Sequence, residues 1–368
     1  MIQIDKLVRK LKNNNINFFT GVPDSVLKNF SLYIKNFGKK KHVIATNEGG
    51  AIAIAIGYYL STKKLAAVYM QNSGLGNAIN PLISIAHKKV YSIPMLLMIG
   101  WRGAPGVKDE PQHKVKGVIT KKILALLGIK TIELEKEKDL KNLNMLIKYS
   151  KKEKKPVACL IKKNIIQINK KLVFNSSFSE GLKRFEVLKE ILNLIKDKTK
   201  IISTTGYTSR ELNQIRQEKK FKGKDFYMVG GMGHSSMVAL GSSMFTKNET
   251  ICIDGDGSML MHLGSMSLSN IYGKKNFKYI LMNNNSHESV GGQTTNIKNV
   301  DILKLMESFK FKKILQITKK HEVKKKLKSF LNTKGPSFLE VKIKNGTMKN
   351  LIRPKSLSVI KKNFLKNK

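Results

Sequence analysis

Glu249-Thr250-Ile251-Cys252-Ile253-Asp254 runs straight into Gly255-Asp256-Gly257-Ser258, and after 24 further residues (259–282) the chain reads Asn283-Asn284-Asn285. The run 249–254 is apolar and β-branched, and Tyr279-Ile280-Leu281-Met282, which ends on the asparagines, is a second run of that kind. Both read as buried strands, so both polar motifs stand at strand ends. In an open parallel sheet, ligands bind at the carboxyl ends of the strands, where a helix start turns free backbone N–H groups toward an anion. Asp256 and an amide oxygen of the asparagine run are hard oxygen donors, suited to a Mg²⁺ ion shared with a phosphate. The glycines let the backbone approach that phosphate closely. A Gly-Asp-Gly alone is also a common turn; the spacing to a strand-terminal asparagine pair shifts the reading toward a metal-diphosphate anchor.

The chain has 368 residues, too many for one ordinary core and enough for two domains of about 150 to 200 residues. It contains no apolar stretch of the roughly 18 to 20 residues that span a bilayer, and Met1-Ile2-Gln3-Ile4-Asp5-Lys6 lacks the basic-then-apolar order of a signal peptide. The expectation is a soluble, cytoplasmic protein with no membrane partner. Cys159 and Cys252 are the only cysteines, and each sits in an apolar run as a small buried hydrophobe. The formal net charge of +44 raises nucleic acid as a partner. The lysines are spread along the whole chain, with no arginine-rich arm, zinc-finger spacing or aromatic-basic pattern, so charge here speaks to steering of small anions and no nucleic acid is expected.

Short apolar runs at 16–20, 42–46, 65–70 and 93–100 alternate with helical patterns, among them an Ala- and Gly-rich helix at 48–60. That rhythm predicts a parallel α/β sheet with its ligand groups on the loops after the strands. A run at 157–161 closes the first domain, 1–168. Residues 169–183, rich in Lys, Asn and Ser, read as a linker. A second alternation, with strands at 200–204, 250–254, 277–282, 313–317 and 337–343, fills a domain at 184–346, and a basic tail, expected to be mobile, begins at Thr347. The fold class is α/β, two doubly wound parallel-sheet domains.

The anchor resembles the fingerprint of thiamine diphosphate enzymes, which hold the cofactor's diphosphate through Mg²⁺. Thr20-Gly-Val-Pro-Asp-Ser25, Asn47-Glu-Gly49, Tyr69-Met-Gln-Asn-Ser-Gly-Leu-Gly-Asn77, Gly100-Trp-Arg-Gly103, Asp109-Glu-Pro-Gln-His113, Ser203-Thr-Thr-Gly206, Thr208-Ser-Arg-Glu-Leu212 and His287-Glu-Ser-Val-Gly-Gly-Gln293 extend the likeness over most of residues 16–295. Together they resemble the phosphonopyruvate decarboxylases, a branch of the thiamine diphosphate-dependent 2-oxo acid decarboxylases. The sulfopyruvate decarboxylases share this frame, and the His287-Glu288 stretch is similar to the phosphonate branch.

The resemblance implies thiamine diphosphate and Mg²⁺ as cofactors and the thiamine diphosphate-binding fold for both domains, the first binding the pyrimidine and the second the diphosphate. It implies Asp256, Asn284 and the backbone carbonyl of Ser286 as metal ligands. The third asparagine, Asn285, leaves that register open by one residue. Gly206, Gly230, Gly231, Met232, Gly233, Gly255, Gly257 and Ser258 would line the cofactor, with Met232 as an apolar wedge; by residue type alone Met232 is equally a gap-filling core methionine. Glu48 would activate the cofactor from an apolar setting that raises its pKa; without the resemblance it is a first-turn Glu favoured by the helix dipole.

His113 and His287 would transfer protons, although His113 also reads as a solvated loop histidine. Asp24, Ser25, Gln71, Asn72 and Arg102 would bind the substrate, a small anionic 2-oxo acid, with Arg102 offering a bidentate fork. The resemblance further implies a homo-oligomer, at least a dimer, with sites shared between subunits. Another 2-oxo acid decarboxylase or carboligase on the same scaffold, and, from a different class, a basic nucleotide- or nucleic-acid-binding protein using the 255–257 loop for phosphate, are the alternatives the sequence leaves standing.

Overall fold

Valine, isoleucine, leucine and methionine dominate the runs flagged above, and in the structure they form strands buried on both faces. The computed structural model describes residues 1–168, 181–219, 221, 223, 225–352, 354 and 356–366. The chain divides into two compact units, Met1–Phe174 and Asn175–Lys368. The linker expected at 169–183 lies outside the described residues over 169–180.

In the first unit the strands are β1 (Phe19–Gly21), β2 (His42–Ile44), β3 (Ala67–Gln71), β4 (Leu96–Gly100), β5 (Lys130–Leu134) and β6 (Val157–Ile161). They form one parallel sheet in the order β2-β1-β3-β4-β6-β5. Alternation along each strand sends side chains to opposite faces. Tyr69, Leu96, Met98 and Cys159 pack in one core layer, and Val68, Met70, Leu97, Ile99, Ala158 and Leu160 in the other. Such sheets are covered by helices on both sides, which is why their strands read as continuous apolar runs.

The second unit has β7 (Lys200–Ser203), β8 (Phe226–Tyr227), β9 (Thr250–Gly255), β10 (Phe277–Asn283), β11 (Lys313–Ile317) and β12 (Ser337–Lys342). Their order, β8-β7-β9-β10-β12-β11, repeats that of the first unit strand for strand, again all parallel. Ile251, Ile253, Ile280 and Met282 face one core and Cys252, Tyr279 and Leu281 the other. Both cysteines are free and buried, and burial pushes the Cys159 thiol up to about 12.

Two strands of these sheets escaped the sequence reading, as did the short pairs Ile2–Gln3 with Ile166–Gln167 and Ser286–His287 with Gln293–Thr294. Lys130–Leu134 alternates polar and apolar residues at a sheet edge, and Phe226–Tyr227 is two residues long. In the basic tail the Met348 N–H donates to Glu211 at 2.9 Å and Arg210 donates to the Leu351 carbonyl at 2.6 Å. Beyond it the helix Leu357–Lys366 brings Phe364 within 5.6 Å of Phe226, apolar contacts that a lysine-rich composition hides. Among the described residues no helix is long and apolar enough to cross a membrane.

Candidate active site

In both units the first and third strands are neighbours, and their outgoing connections diverge to opposite sides. This is the switch point at which doubly wound sheets open a crevice beyond the strand ends. In the second unit the switch point lies between β7 and β9. Ser258, one turn into the helix Asp256–Met261, accepts hydrogen bonds from the Thr204 hydroxyl and the Gly233 N–H, each at 3.0 Å. Three motifs far apart in sequence, 204–206, 230–233 and 255–258, thus meet on one hydroxyl. Gly206, at φ +96°, turns the chain into the helix Tyr207–Glu218 through a conformation that favours glycine.

Asp256 is 2% exposed, and burial raises its carboxyl to about 6. The Thr295 hydroxyl at 2.5 Å and backbone N–H groups, including that of Ser286, pull the other way. A carboxylate so enclosed among neutral donors is a natural seat for a cation.

The three asparagines have separate tasks. Asn283 gives its amide to Glu340 at 2.6 Å and accepts the Asn285 N–H at 3.0 Å, so it is consumed by the fold. Asn285 adopts a left-handed φ of +54° and takes the Thr295 hydroxyl at 3.4 Å. Asn284 donates to Glu288 at 3.0 Å, and its oxygen accepts the Ser286 N–H at 3.2 Å, which puts that oxygen beside the backbone group that also faces Asp256.

His287 packs so closely on Gly257 that a Cβ there would lie 2.7 Å from the imidazole, and the Met232 methyl would be 3.4 Å from the same point. Burial pushes His287 down to about 4, leaving a neutral ring at pH 7. Met232 is half-buried and is not among the described residues packed in either core layer. A Cβ on Gly255 would meet nothing within 4 Å.

In the first unit the loops after β1, β3 and β4 converge. Asp24 is 1% exposed and accepts the N–H groups of Val26 and Leu27 at 3.0 and 3.1 Å. Burial raises it to about 6, against those N–H groups and the nearby Arg102, so it can carry a proton near neutrality. Its Oδ1 is buried without a partner.

Arg102 places Nε on Asp109 at 2.7 Å, pairs Nη2 with the other oxygen of the same carboxylate, and donates from Nη1 to the exposed Ser25 at 3.0 Å. The side-on fork expected for substrate is therefore filled by Asp109, which Arg102 and two backbone N–H groups hold well below the usual carboxylate range despite its burial. Asn72, expected to bind substrate, instead spends its amide on the Arg102 backbone (2.9 and 3.1 Å) and on Thr120 at 2.9 Å. It positions the arginine loop. Gln71 donates to Ser73 at 2.6 Å.

Glu48 opens the helix Glu48–Thr62, capped by Asn47, which accepts the Gly50 N–H at 2.8 Å. It is 6% exposed, takes the Asn77 amide at 2.8 Å, and presses on Gly74 so closely that a Cβ there would sit 2.3 Å from Oε1. Ala51, Ile52, Ala55 and Ile56 of the same helix are buried as well. His113 is buried near the start of the helix Pro111–Leu126, not solvated. Lys116, one turn on, was not anticipated; burial lowers its amine while the Glu48 carboxylate pulls it back up, so the two lie within electrostatic reach. Thr295 and Gly74 were also missed, because a lone Thr or Gly carries no signal until the chain folds.

Two family models match the chain: "Thiamine pyrophosphate enzyme, N-terminal TPP binding domain" over residues 4–123 and "Thiamine pyrophosphate enzyme, C-terminal TPP binding domain" over 204–341. The phosphonopyruvate decarboxylase of Streptomyces viridochromogenes is 29% identical over 371 residues, covering 96% of this chain and 92% of that protein. The sulfopyruvate decarboxylase of Methanosarcina acetivorans is 24% identical over 364 residues, 93% of this chain and 91% of that one. Sulfopyruvate decarboxylase subunit alpha of Methanocaldococcus jannaschii is 38% identical over 141 residues, 38% of this chain and 79% of that subunit.

Proposed function

The chain belongs to the thiamine pyrophosphate enzyme family, and from that premise we propose that it is a thiamine diphosphate- and Mg²⁺-dependent carboxy-lyase converting 3-phosphonopyruvate to phosphonoacetaldehyde and CO₂ in phosphonate biosynthesis. The observation that carries the substrate is the likeness to a phosphonopyruvate decarboxylase along 96% of the chain at 29% identity, ahead of the 24% shared with a full-length sulfopyruvate decarboxylase.

Asp256, Asn284 and the Ser286 carbonyl would hold Mg²⁺. One carboxylate, one amide oxygen and one carbonyl are hard donors that leave positions for phosphate oxygens, and the buried Asp256 carboxylate calls for a cation. Gly206, Gly257, Ser258 and the 230–233 turn would cradle the diphosphate and thiamine, with Met232 as apolar support. When bound, thiamine diphosphate supplies the nucleophilic carbon and the electron sink for loss of CO₂.

The chain's own groups orient the substrate and handle protons. Glu48, with one oxygen held by Asn77, is the carboxyl that would exchange a proton with the aminopyrimidine ring nitrogen. Asp24, titrating near 6, and the neutral His287 are proton carriers on their respective units, and His113 joins Asp24 on the first. Asp109 holds one edge of Arg102, whose outer edge, with Ser25 and the half-buried Lys116, binds the anionic ends of the 2-oxo acid. The same reading makes the protein a cytoplasmic homo-oligomer, at least a dimer with sites shared between subunits; a relative named as a subunit alpha supports assembly from subunits in general.

The test is CO₂ release from a substrate panel with Mg²⁺ and thiamine diphosphate. Release from phosphonopyruvate that stops without the cofactor is expected. Brisk release from sulfopyruvate with none from phosphonopyruvate would reverse the substrate assignment.

A further inference from the structure

An asparagine side chain ends in an oxygen that can ligate a cation and a nitrogen that cannot, and a half-turn exchanges them. At Asn284 the neighbour that decides between them is Glu288. We propose that Glu288 is a positioning residue that locks the Asn284 amide with its oxygen toward the metal site, and that Arg184 holds Glu288 in place. The inference rests on the reading of Asp256, Asn284 and Ser286 as Mg²⁺ ligands.

Among the described residues, the hydrogen bonds to the Glu288 carboxylate all come from donors. Oε2 accepts from Asn284 Nδ2 at 3.0 Å and from Arg184 Nη2 at 2.5 Å, while Oε1 accepts the Gly346 N–H. With Arg184 and the Gly346 N–H donating to it, this carboxyl serves as the acceptor, and it is the NH₂ end of Asn284 that faces it. The amide oxygen must then point the other way, where it takes the Ser286 N–H at 3.2 Å beside Asp256. Arg184 is itself fixed: it is 4% exposed at the start of the helix Arg184–Leu194, and its Nη1 lies 3.5 Å from the fully buried Glu211. Glu211 in turn accepts the Met348 N–H at 2.9 Å, so the strap after β12 braces both carboxylates. Partners of metal ligands at this remove commonly change metal affinity by about 10- to 100-fold.

Glu288→Gln keeps the size and adds an N–H that the Asn284 oxygen can accept, which makes the flipped amide competitive. With the full chain and saturating thiamine diphosphate, Mn²⁺ binding followed by electron paramagnetic resonance of the free ion should weaken about tenfold or more in this variant. In Asn284→Asp/Glu288→Gln the carboxylate at 284 needs no orienting and accepts from Gln, so affinity should return to within about threefold of wild type. A purely architectural Glu288 would move the melting temperature and leave Mn²⁺ binding alone. Affinity within twofold of wild type in the single variant, or a double variant no tighter than the single, overturns the proposal. Should Glu288→Gln fail to fold, the double variant is read directly against wild type, and a tenfold loss there overturns it. Wild type that binds no Mn²⁺ alongside the cofactor would sink the functional reading instead.

Discussion

Replacing Gly74 by alanine separates the placing of Glu48 from the rest of the site. Gly74 has helical torsions (φ −74°, ψ −10°), so alanine meets no backbone strain. Its Cβ, however, would lie 2.3 Å from Glu48 Oε1, where ordinary contact begins at 3.4 Å, and the carboxylate must retreat by about 1.1 Å. That movement exceeds what the 2.8 Å bond from Asn77 can absorb. A misplacement of roughly 1 Å costs on the order of 10²-fold in rate, or about 2.7 kcal/mol of barrier. The assay is kcat for CO₂ release at saturating cofactor, with thermal melts alongside. Gly76→Ala is the control: nothing lies within 4 Å of its Cβ, and alanine in the helix Leu75–Pro81 should stabilise by up to about 1 kcal/mol with kcat unchanged. If Gly74→Ala kept kcat within threefold of wild type, the reasoning that seats Glu48 against this glycine would be wrong.

Asp24, buried and raised from 3.8 to about 6, binds its proton more tightly folded than unfolded, so its contribution to stability is fullest below about pH 4 and declines as pH rises to about 6. Two pK units correspond to about 3 kcal/mol. Asn at 24 removes that decline, so the stability of Asp24→Asn relative to wild type should grow by about 3 kcal/mol between pH 4 and 7.5 in urea melts, and a difference that stays flat with pH refutes it. Arg102→Lys cannot reproduce the side-on pairing with Asp109 while also reaching Ser25. It should raise KM for the 2-oxo acid by roughly 10- to 100-fold, the equivalent of one charge-assisted hydrogen bond; an unchanged KM would remove Arg102 from the substrate site.

The doubly wound sheets could be read from the sequence because strands buried on both faces must be apolar throughout, and 93–100, 157–161 and 277–282 are. The edge strand Lys130–Leu134 could not, because an edge has less to bury and its polar residues look like loop. The motifs at 255–258 and 283–286 were legible because they set unusual polar residues in series at strand ends. Arg102 was found for its chemistry, but its engagement with Asp109 depends on a loop conformation that no local pattern encodes.

The sequence by itself determined the two-unit α/β class, the placing of Asp256 and the asparagine run at strand ends, and Glu48 at a helix start with an apolar face behind it. These follow from residue type and spacing along one strand or helix. Only the tertiary structure decided which asparagine serves which partner. Asn283 meets Glu340 from a neighbouring strand, Asn284 meets Glu288 braced by Arg184, and Asn285 turns left-handed toward Thr295. The three residues are chemically identical, so what distinguishes them is the donors and acceptors that folding brings from elsewhere in the chain. An amide takes its role from the group that fixes its orientation.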